Sequence, residues 1–355
     1  MNSAAYTNGS PPSCYFLNAW QRGEIPVAQI PRNINVFPGR KISFSVVSLA
    51  DGPMQQVKIL AALAMLSYAK KLGFLEKVHT IVANSSGNFA EAVGRLAGSF
   101  GIGNVSAVVP PDLPPGKLFS LRQFGVQILH PIFGKSGIAS AEEFGKQQGW
   151  YNLNQYSVFP DGNDYGAELY RTWLAPFALS RLQKLPTVCV LGIGTGLTVS
   201  GVSQHMRERG NIKMIGVQWA HGHAGFGVRS LADMTEIRRP WREAVDDTVK
   251  VERQHALQTA IWLARTTSFS IGPSGGLAMA GAMLFIERCI KTKFIEDLRG
   301  PDGEVRVLVF LPDGGRPYAE TFNEFMEKHP LLYASGIPAL DFLDPELAGV
   351  NRMIK

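Results

Sequence analysis

Three short stretches of this chain combine residue types that can do chemistry. In Gly192-Ile193-Gly194-Thr195-Gly196-Leu197-Thr198, glycines alternate between an apolar run, Val188-Cys189-Val190-Leu191, and a helix expected to reach about Gly210. A glycine-rich turn between strand and helix leaves backbone N–H groups unpaired at the helix's positive end. Such a nest binds a phosphate dianion without any side-chain charge, and Thr195 and Thr198 add hydroxyl donors. Taken alone, the loop can also be merely a tight turn. The dinucleotide spacing fails, because Gly194 is followed three residues later by Leu197 and the next strand ends at Val217-Gln218 without an acid for a ribose hydroxyl. No P-loop signature occurs either. What remains is a phosphate without a nucleotide.

The second stretch is Gln55-Gln56-Val57-Lys58-Ile59-Leu60. Lys58 follows a turn signal, Asp51-Gly52-Pro53, and starts an apolar helix. Between Val57 and Ile59 its amine is expected to be partly desolvated, which lowers an ammonium's pKa and equips a lysine for Schiff-base chemistry. An isolated lysine at a helix start also simply snorkels to water. The third stretch, Ala83-Asn84-Ser85-Ser86-Gly87-Asn88-Phe89-Ala90, gathers Ser and Asn side chains at a helix N-terminus. That is a natural seat for a carboxylate, and equally an ordinary N-cap by Ser85 or Ser86. Two weaker stretches follow, Ser270-Ile271-Gly272-Pro273-Ser274-Gly275-Gly276 and Leu311-Pro312-Asp313-Gly314-Gly315-Arg316-Pro317-Tyr318.

The elements that must position these residues alternate along the chain. Strands are predicted over residues 42–49, 78–83, 105–109, 126–129, 188–191, 214–217 and 304–311. Helices are predicted over 59–71, 86–100, 116–124, 139–148, 164–183, 197–210, 253–265 and 275–291, with a last one from Tyr318. Strands alternating with helices at this spacing mean parallel β/α units, whose functional loops lie at the carboxyl ends of the strands. Residues 1–12 are polar and read as a loose tail. The 355 residues are 45% apolar but only 18% charged, against about a quarter in an average protein, so part of the surface is expected to be buried between subunits. The net charge of +6 is not gathered in any basic block, which argues for small anionic ligands and against nucleic acid. Three scattered cysteines form neither a disulfide framework nor a metal box, as expected in a reducing cytoplasm. The first fifteen residues lack a signal-peptide pattern, and the apolar run at 59–69 is too short to span a bilayer, so a soluble protein is expected.

Taken together and in this order, the five stretches resemble the cysteine synthase / cystathionine β-synthase family of pyridoxal-phosphate (PLP) enzymes, the fold type II or tryptophan synthase β-like class. The resemblance runs from about Ile25-Pro26-Val27 to Tyr318 and includes Val109-Pro110-Pro111 through Leu121-Arg122-Gln123-Phe124-Gly125-Val126. It implies an α/β fold of two doubly wound domains with mostly parallel sheets and the cofactor in the cleft between them. The large domain would comprise residues 1–40 and 151–330, the small mobile domain residues 41–150, and residues 331–355 a C-terminal tail.

The same resemblance assigns roles. Lys58 matches the Schiff-base lysine, and Gly194, Thr195, Gly196, Leu197 and Thr198 match the loop around the cofactor phosphate. Asn88 matches the asparagine beside the pyridoxal hydroxyl, and Ser274 the serine at the pyridine nitrogen. A neutral hydroxyl there holds no proton on the ring as a carboxylate would, which suits loss of a β-substituent over transamination. Ser85, Ser86, Asn88 and Phe89, with Gln155, match the site for the substrate α-carboxylate. No metal is implied, and His221 and His223 lack further ligands nearby.

The sequence also departs from the family. Gln56 replaces a serine, Ile59-Leu60 an Asp-Arg pair, Phe89-Ala90 a Thr-Gly pair, Leu197 a glycine and Gly275 a serine. Phe89 either narrows the amino-acid site or packs inward. The loop 220–227, with Arg229 beyond it, is assigned to recognition of a second substrate, or is a surface loop with incidental histidines. The expected activity is β-elimination or β-replacement on an activated serine such as O-acetylserine or O-phosphoserine, through an aminoacrylate, with a nucleophilic second substrate. The alternatives are a lyase or deaminase releasing aminoacrylate, and a non-catalytic member acting as a binding partner. A cytoplasmic homodimer without nucleic-acid or membrane partners is expected.

Overall fold

The computed structural model describes residues 26–50, 55–220, 225–230, 232–333 and 340–344. The tail at 1–12, Cys14, the turn at 51–53 and both His221 and His223 lie outside them. In chain order the first elements are β1 (Val27–Gln29), β2 (Ile42–Ser48), α1 (Lys58–Lys71), β3 (Thr80–Asn84) and α2 (Asn88–Ala97). Then come β4 (Asn104–Val108), α3 (Pro115–Gln123), β5 (Val126–Leu129), α4 (Gly137–Phe144) and β6 (Trp150–Asn152). A helix over 165–180, α5, leads to β7 (Val188–Gly192), α6 (Leu197–Arg209), β8 (Lys213–Trp219) and β9 (Asp247–Val251). The chain continues with α7 (Arg253–Thr267), α8 (Pro273–Lys291), β10 (Val305–Leu311) and α9 (Ala319–Lys328).

Two sheets result. The first has the order β5-β4-β3-β6 and is parallel throughout. The second has the order β1-β2-β10-β7-β8-β9 and is parallel except for the short β1 against β2. The expected α/β architecture with mostly parallel sheets is what the chain adopts. Strands such as Val188-Cys189-Val190-Leu191 are apolar without alternation because helices cover both faces of their sheet.

The expected domain border at residue 41 places 42–48 on the small side, and the structure corrects this. Strand β2 pairs over its whole length with β10, from Ile42 on Val305 to Ser48 on Leu311, so it belongs to the six-stranded sheet. Strands β1, β6 and β9 escape the sequence because they are too short or too polar to show a pattern, as in Asp247-Thr248-Val249-Lys250-Val251. Helix α5 ends at Ser180 and is π-wound over Tyr170–Leu174. Pro176 explains the change: it has no N–H for the helix ladder, and its ring crowds the turn before it.

The carboxyl ends of the strands converge. Leu49 after β2, Asn84 at the end of β3, Gly192 at the end of β7 and Pro312 after β10 all border one cavity of about 440 Å³. Helix α1 packs against α2 and α5 and is buried along nearly its whole length, so its N-terminus is delivered to that cavity by core packing.

Candidate active site

Lys58 is the first residue of α1, and the residue before it is fixed from both sides. The Val57 N–H donates to the Pro312 carbonyl at 2.7 Å, and the Tyr170 hydroxyl donates to the Val57 carbonyl at 3.0 Å. The side chain of Lys58 lines the cavity, half-buried, and its Nζ donates to Thr195 Oγ1 at 3.0 Å. Desolvation brings its pKa down to about 7, and the guanidinium groups of Arg239 and Arg229 push in the same direction. A neutral amine at ordinary pH is what condensation with an aldehyde requires.

The glycine loop supplies the opposite wall. A β-carbon on Gly194 would come 2.1 Å from the Gly227 carbonyl oxygen, so only glycine lets these two backbone segments touch. Gly196 has φ +82°, and a β-carbon there would meet Trp241 Cβ at 2.9 Å. Helix α6 then starts at Leu197, with Thr195, Gly196 and Thr198 on the cavity wall. The first N–H groups of a helix have no partner within it, and here the helix begins at the cavity wall. Leu197 is the exception among the expected residues. Its side chain is buried and packs on Gly166 of α5, away from the cavity, so it can offer the site its backbone alone.

The third wall is the segment between β3 and α2. Ser85 Oγ accepts from the N–H groups of Gly87 at 3.0 Å and Ala90 at 3.1 Å, which fixes the turn. Ser86 is half-buried and faces the cavity. Gln155 Nε2 donates to the Asn84 carbonyl at 3.0 Å, while its Oε1, buried on the cavity wall, has no partner among the described residues. Phe89 combines both expectations: it touches the cavity, yet at 1% exposure most of its ring is in the core.

Ser274, near the start of α8, closes the cavity beside Phe310 and Pro312. Its Oγ donates to Asp313 Oδ1 at 2.7 Å. Asp313 Oδ2 accepts from Asn88 Nδ2 and from the Tyr318 hydroxyl, each at 2.7 Å, and Lys117 Nζ donates to Asn88 Oδ1. Burial depresses the pKa of Lys117 and raises that of the Tyr318 hydroxyl, the latter helped by the Asp313 charge. Arg239 is a second buried anchor: it binds Asp164 Oδ2 at 2.6 Å and the carbonyls of Gln155 and Ser157 at 3.0 and 2.9 Å. Arg229 borders the cavity with its guanidinium 4.7 Å from the Tyr156 ring.

Lys58, Ser85, Ser86, Asn88, Phe89 and Gln155 thus share one cavity with Gly194, Thr195, Gly196, Thr198 and Ser274. Lys117 and Arg239 were not singled out beforehand, whereas Asp313 and Tyr318 lay in the stretch Leu311-Pro312-Asp313-Gly314-Gly315-Arg316-Pro317-Tyr318 without a role assigned to them. Among the described residues no group of three or more His, Cys, Asp or Glu is placed to hold a metal ion, and no helix is long and apolar enough to cross a membrane.

A desolvated lysine facing a glycine-cradled anion nest fits a ligand with an aldehyde at one end and a phosphate at the other. Residues 53–296 match the pyridoxal-phosphate dependent enzyme family. The chain belongs to this family. It is a PLP-dependent enzyme of the cysteine synthase type. It is 27% identical over 287 residues to O-ureido-L-serine synthase of Streptomyces lavendulae, covering 76% of this chain and 82% of that protein. It is 26% identical to cysteine synthase B of Escherichia coli, covering 66% and 76% respectively. Its fold superposes on the crystal structure of an O-acetylserine dependent cystathionine β-synthase from Helicobacter pylori with a TM-score of 0.69, at 20% identity over 86% of this chain and 96% of the other.

Proposed function

We propose that this enzyme replaces the β-substituent of an activated serine, such as O-acetylserine or O-phosphoserine, with an incoming nucleophile. The observation that carries the reading is the placement of the Lys58 amine 3.0 Å from Thr195 in the glycine loop, in a cavity walled by Ser86, Asn88 and Gln155. Relatives named for O-ureido-L-serine and for cysteine support a serine-type substrate.

When bound, PLP supplies an aldehyde for amines and a conjugated ring that accepts the electron pair left when a bond at the amino acid's α-carbon breaks. Gly194, Thr195, Gly196, Thr198 and the backbone of Leu197 would hold its phosphate. Lys58 would hold the aldehyde end, and its neutral amine would serve as the base for the α-proton of the amino acid. Asn88 would lie beside the ring hydroxyl and Ser274 by the ring nitrogen, as the family resemblance implies. Ser85, Ser86, Phe89 and Gln155 would line the seat of the substrate carboxylate, with the Ser86 hydroxyl on the cavity wall as a donor to it. Burial of these groups excludes water, which favours replacement over release of the product to hydrolysis.

The test is direct. The protein incubated with PLP is expected to turn yellow, and O-acetylserine or O-phosphoserine is expected to change its absorption spectrum; a protein that stays colourless overturns the reading. Lys58→Ala abolishes turnover. Offering sulfide, thiols and amines and weighing the products by mass spectrometry assigns the nucleophile, and pyruvate with ammonia as the sole products would make the enzyme a lyase. The low charged fraction and the exposed Phe119 and Phe133 support a homodimer, which a mass measurement in solution checks. The buried, unpaired Cys189 and Cys289 support a reducing, cytoplasmic setting, which fractionation of the source cells checks.

A further inference from the structure

Asn88 stands on the wall of the active-site cavity, and both ends of its side-chain amide are taken up from behind. Lys117 Nζ donates to its Oδ1, and its Nδ2 donates to Asp313 Oδ2 at 2.7 Å. The three residues come from α2, α3 and the turn after β10. Lys117 and Asp313 are 3% and 2% exposed, so water does not stand in for either. Lys117 is also held along its length. A β-carbon on Gly87 would meet Lys117 Cδ at 3.2 Å, so the lysine stem lies against that bare backbone. A β-carbon on Gly116 would come 2.5 Å from the Pro317 carbonyl oxygen, which seats the start of α3 on the turn before Tyr318. The Lys117 amine then lies 4.6 Å from the centre of the Tyr318 ring.

The two ends of an asparagine amide have nearly the same shape and opposite chemistry: the oxygen accepts and the nitrogen donates. An ammonium has only donors and a carboxylate only acceptors. Between Lys117 and Asp313 the amide therefore has one satisfied orientation. Turned over, it would set its NH₂ against an ammonium and its oxygen against a buried carboxylate. Burial works against the Lys117 ammonium, and the charges of Asp313 and Glu91 support it. The Tyr318 hydroxyl, also beside Asn88, spends its proton on Asp313 and has none for Asn88 Oδ1. Lys117 is thus what occupies the oxygen end. What the amide can still offer a ligand is an N–H.

We propose that Lys117 orients the Asn88 amide so that it meets the ring hydroxyl of bound PLP with an N–H and not with its carbonyl oxygen. A donor there favours the ring oxygen in its ionised form, whereas a carbonyl would require that oxygen to keep its proton. This inference rests on the reading above that Asn88 lies beside the ring hydroxyl. Asn88 makes the contact, and Lys117 is the positioning residue. The other charged and titratable groups around the amide are Asp313, Tyr318 and Glu91, the last taken up by Arg95 and Ser120. On the cavity side are Lys58 and Arg229.

The experiment loads the full-length protein with PLP and compares its two absorption bands at neutral pH. The visible band belongs to the form with an ionised ring oxygen, and the near-ultraviolet band to the form whose oxygen carries the proton. Lys117→Met is expected to lower the visible to near-ultraviolet ratio roughly tenfold, the equivalent of one pKa unit, and Asn88→Ala to lower it at least as far. Lys117→Gln keeps an N–H for Asn88 Oδ1 without the charge and is expected to restore the ratio. If Asn88→Ala changes the ratio and Lys117→Met does not, Asn88 does lie beside the hydroxyl and the role of Lys117 is refuted. A Lys117→Gln ratio as low as that of Lys117→Met refutes it as well, because the charge and not the hydrogen bond then acts. If Asn88→Ala leaves the ratio untouched, the placement of Asn88 fails and the proposal with it. Should Lys117→Met not fold, the unmutated protein decides. With its asparagines labelled with nitrogen-15, an amide proton of Asn88 is expected to move downfield in the NMR spectrum when PLP binds, and the absence of that movement overturns the proposal.

Discussion

Leu197 and Gly166 share a single space: a β-carbon on Gly166 would come 2.6 Å from Leu197 Cδ2. This pairing explains how the glycine loop tolerates leucine where a glycine is expected. The side chain leaves the loop on its inner side and fills the gap that Gly166 leaves open on α5. Gly166→Ala is expected to cost about 1–3 kcal/mol of stability by overpacking, and Leu197→Ala about 2–5 kcal/mol by opening a cavity. Together they are expected to cost less than the sum, with a coupling of roughly 1 kcal/mol, because each relieves the other. Urea unfolding of the two single variants and the double variant measures it; strict additivity would refute the shared space.

Lys58 makes stability depend on pH in a stated direction. Its pKa is about 7 in the folded, cofactor-free protein and 10.5 as its ordinary value. Between those values the unfolded chain holds a proton that the folded one lacks, so the Lys58 contribution to stability rises with pH across that window and is flat on either side. Lys58→Met is expected to remove that rise. The rate at which the cofactor-free protein takes up PLP should follow the same ionisation, increasing through about pH 7.

Arg229 helps set that value. Its guanidinium borders the cavity and disfavours the Lys58 ammonium. Arg229→Met is expected to shift the midpoint of PLP uptake to higher pH. An unmoved midpoint would assign the effect to burial and to Arg239.

The neighbouring serines Ser85 and Ser86 separate structure from binding. Ser85 Oγ holds two backbone N–H groups, so Ser85→Ala is expected to cost about 1–2 kcal/mol in thermal or urea unfolding. Ser86 makes no such bond and faces the cavity. Ser86→Ala is expected to leave stability within about 0.5 kcal/mol and to raise KM for the amino acid several-fold with little change in kcat. Equal losses of stability from both would contradict the division.

The glycine loop, the position of Lys58 at a helix start and the Ser-Asn turn were legible because each is a local matter. Whether a turn needs φ above zero, and whether a strand passes into a helix, is decided by a few consecutive residues. The π-winding before Pro176 was not read from the sequence, which gave one helix over 164–183. Nor was the pairing of β2 with β10, because a parallel strand takes its neighbour from a distant part of the chain and an apolar run fits either sheet equally well.

The sequence alone pointed to the cofactor class through its resemblance to a family, since the five stretches that carry the resemblance stand in order along the chain, each written into consecutive residues. Only the tertiary structure decided what stands behind them. Asn88 meets Asp313 across 225 residues and Ser274 meets it across 39. Arg239 reaches back 84 residues to the Gln155 carbonyl. Buried polar groups must find partners wherever the packed chain supplies them, because water is no longer available. Which partner that is depends on how the two sheets meet, and no stretch of sequence contains that meeting.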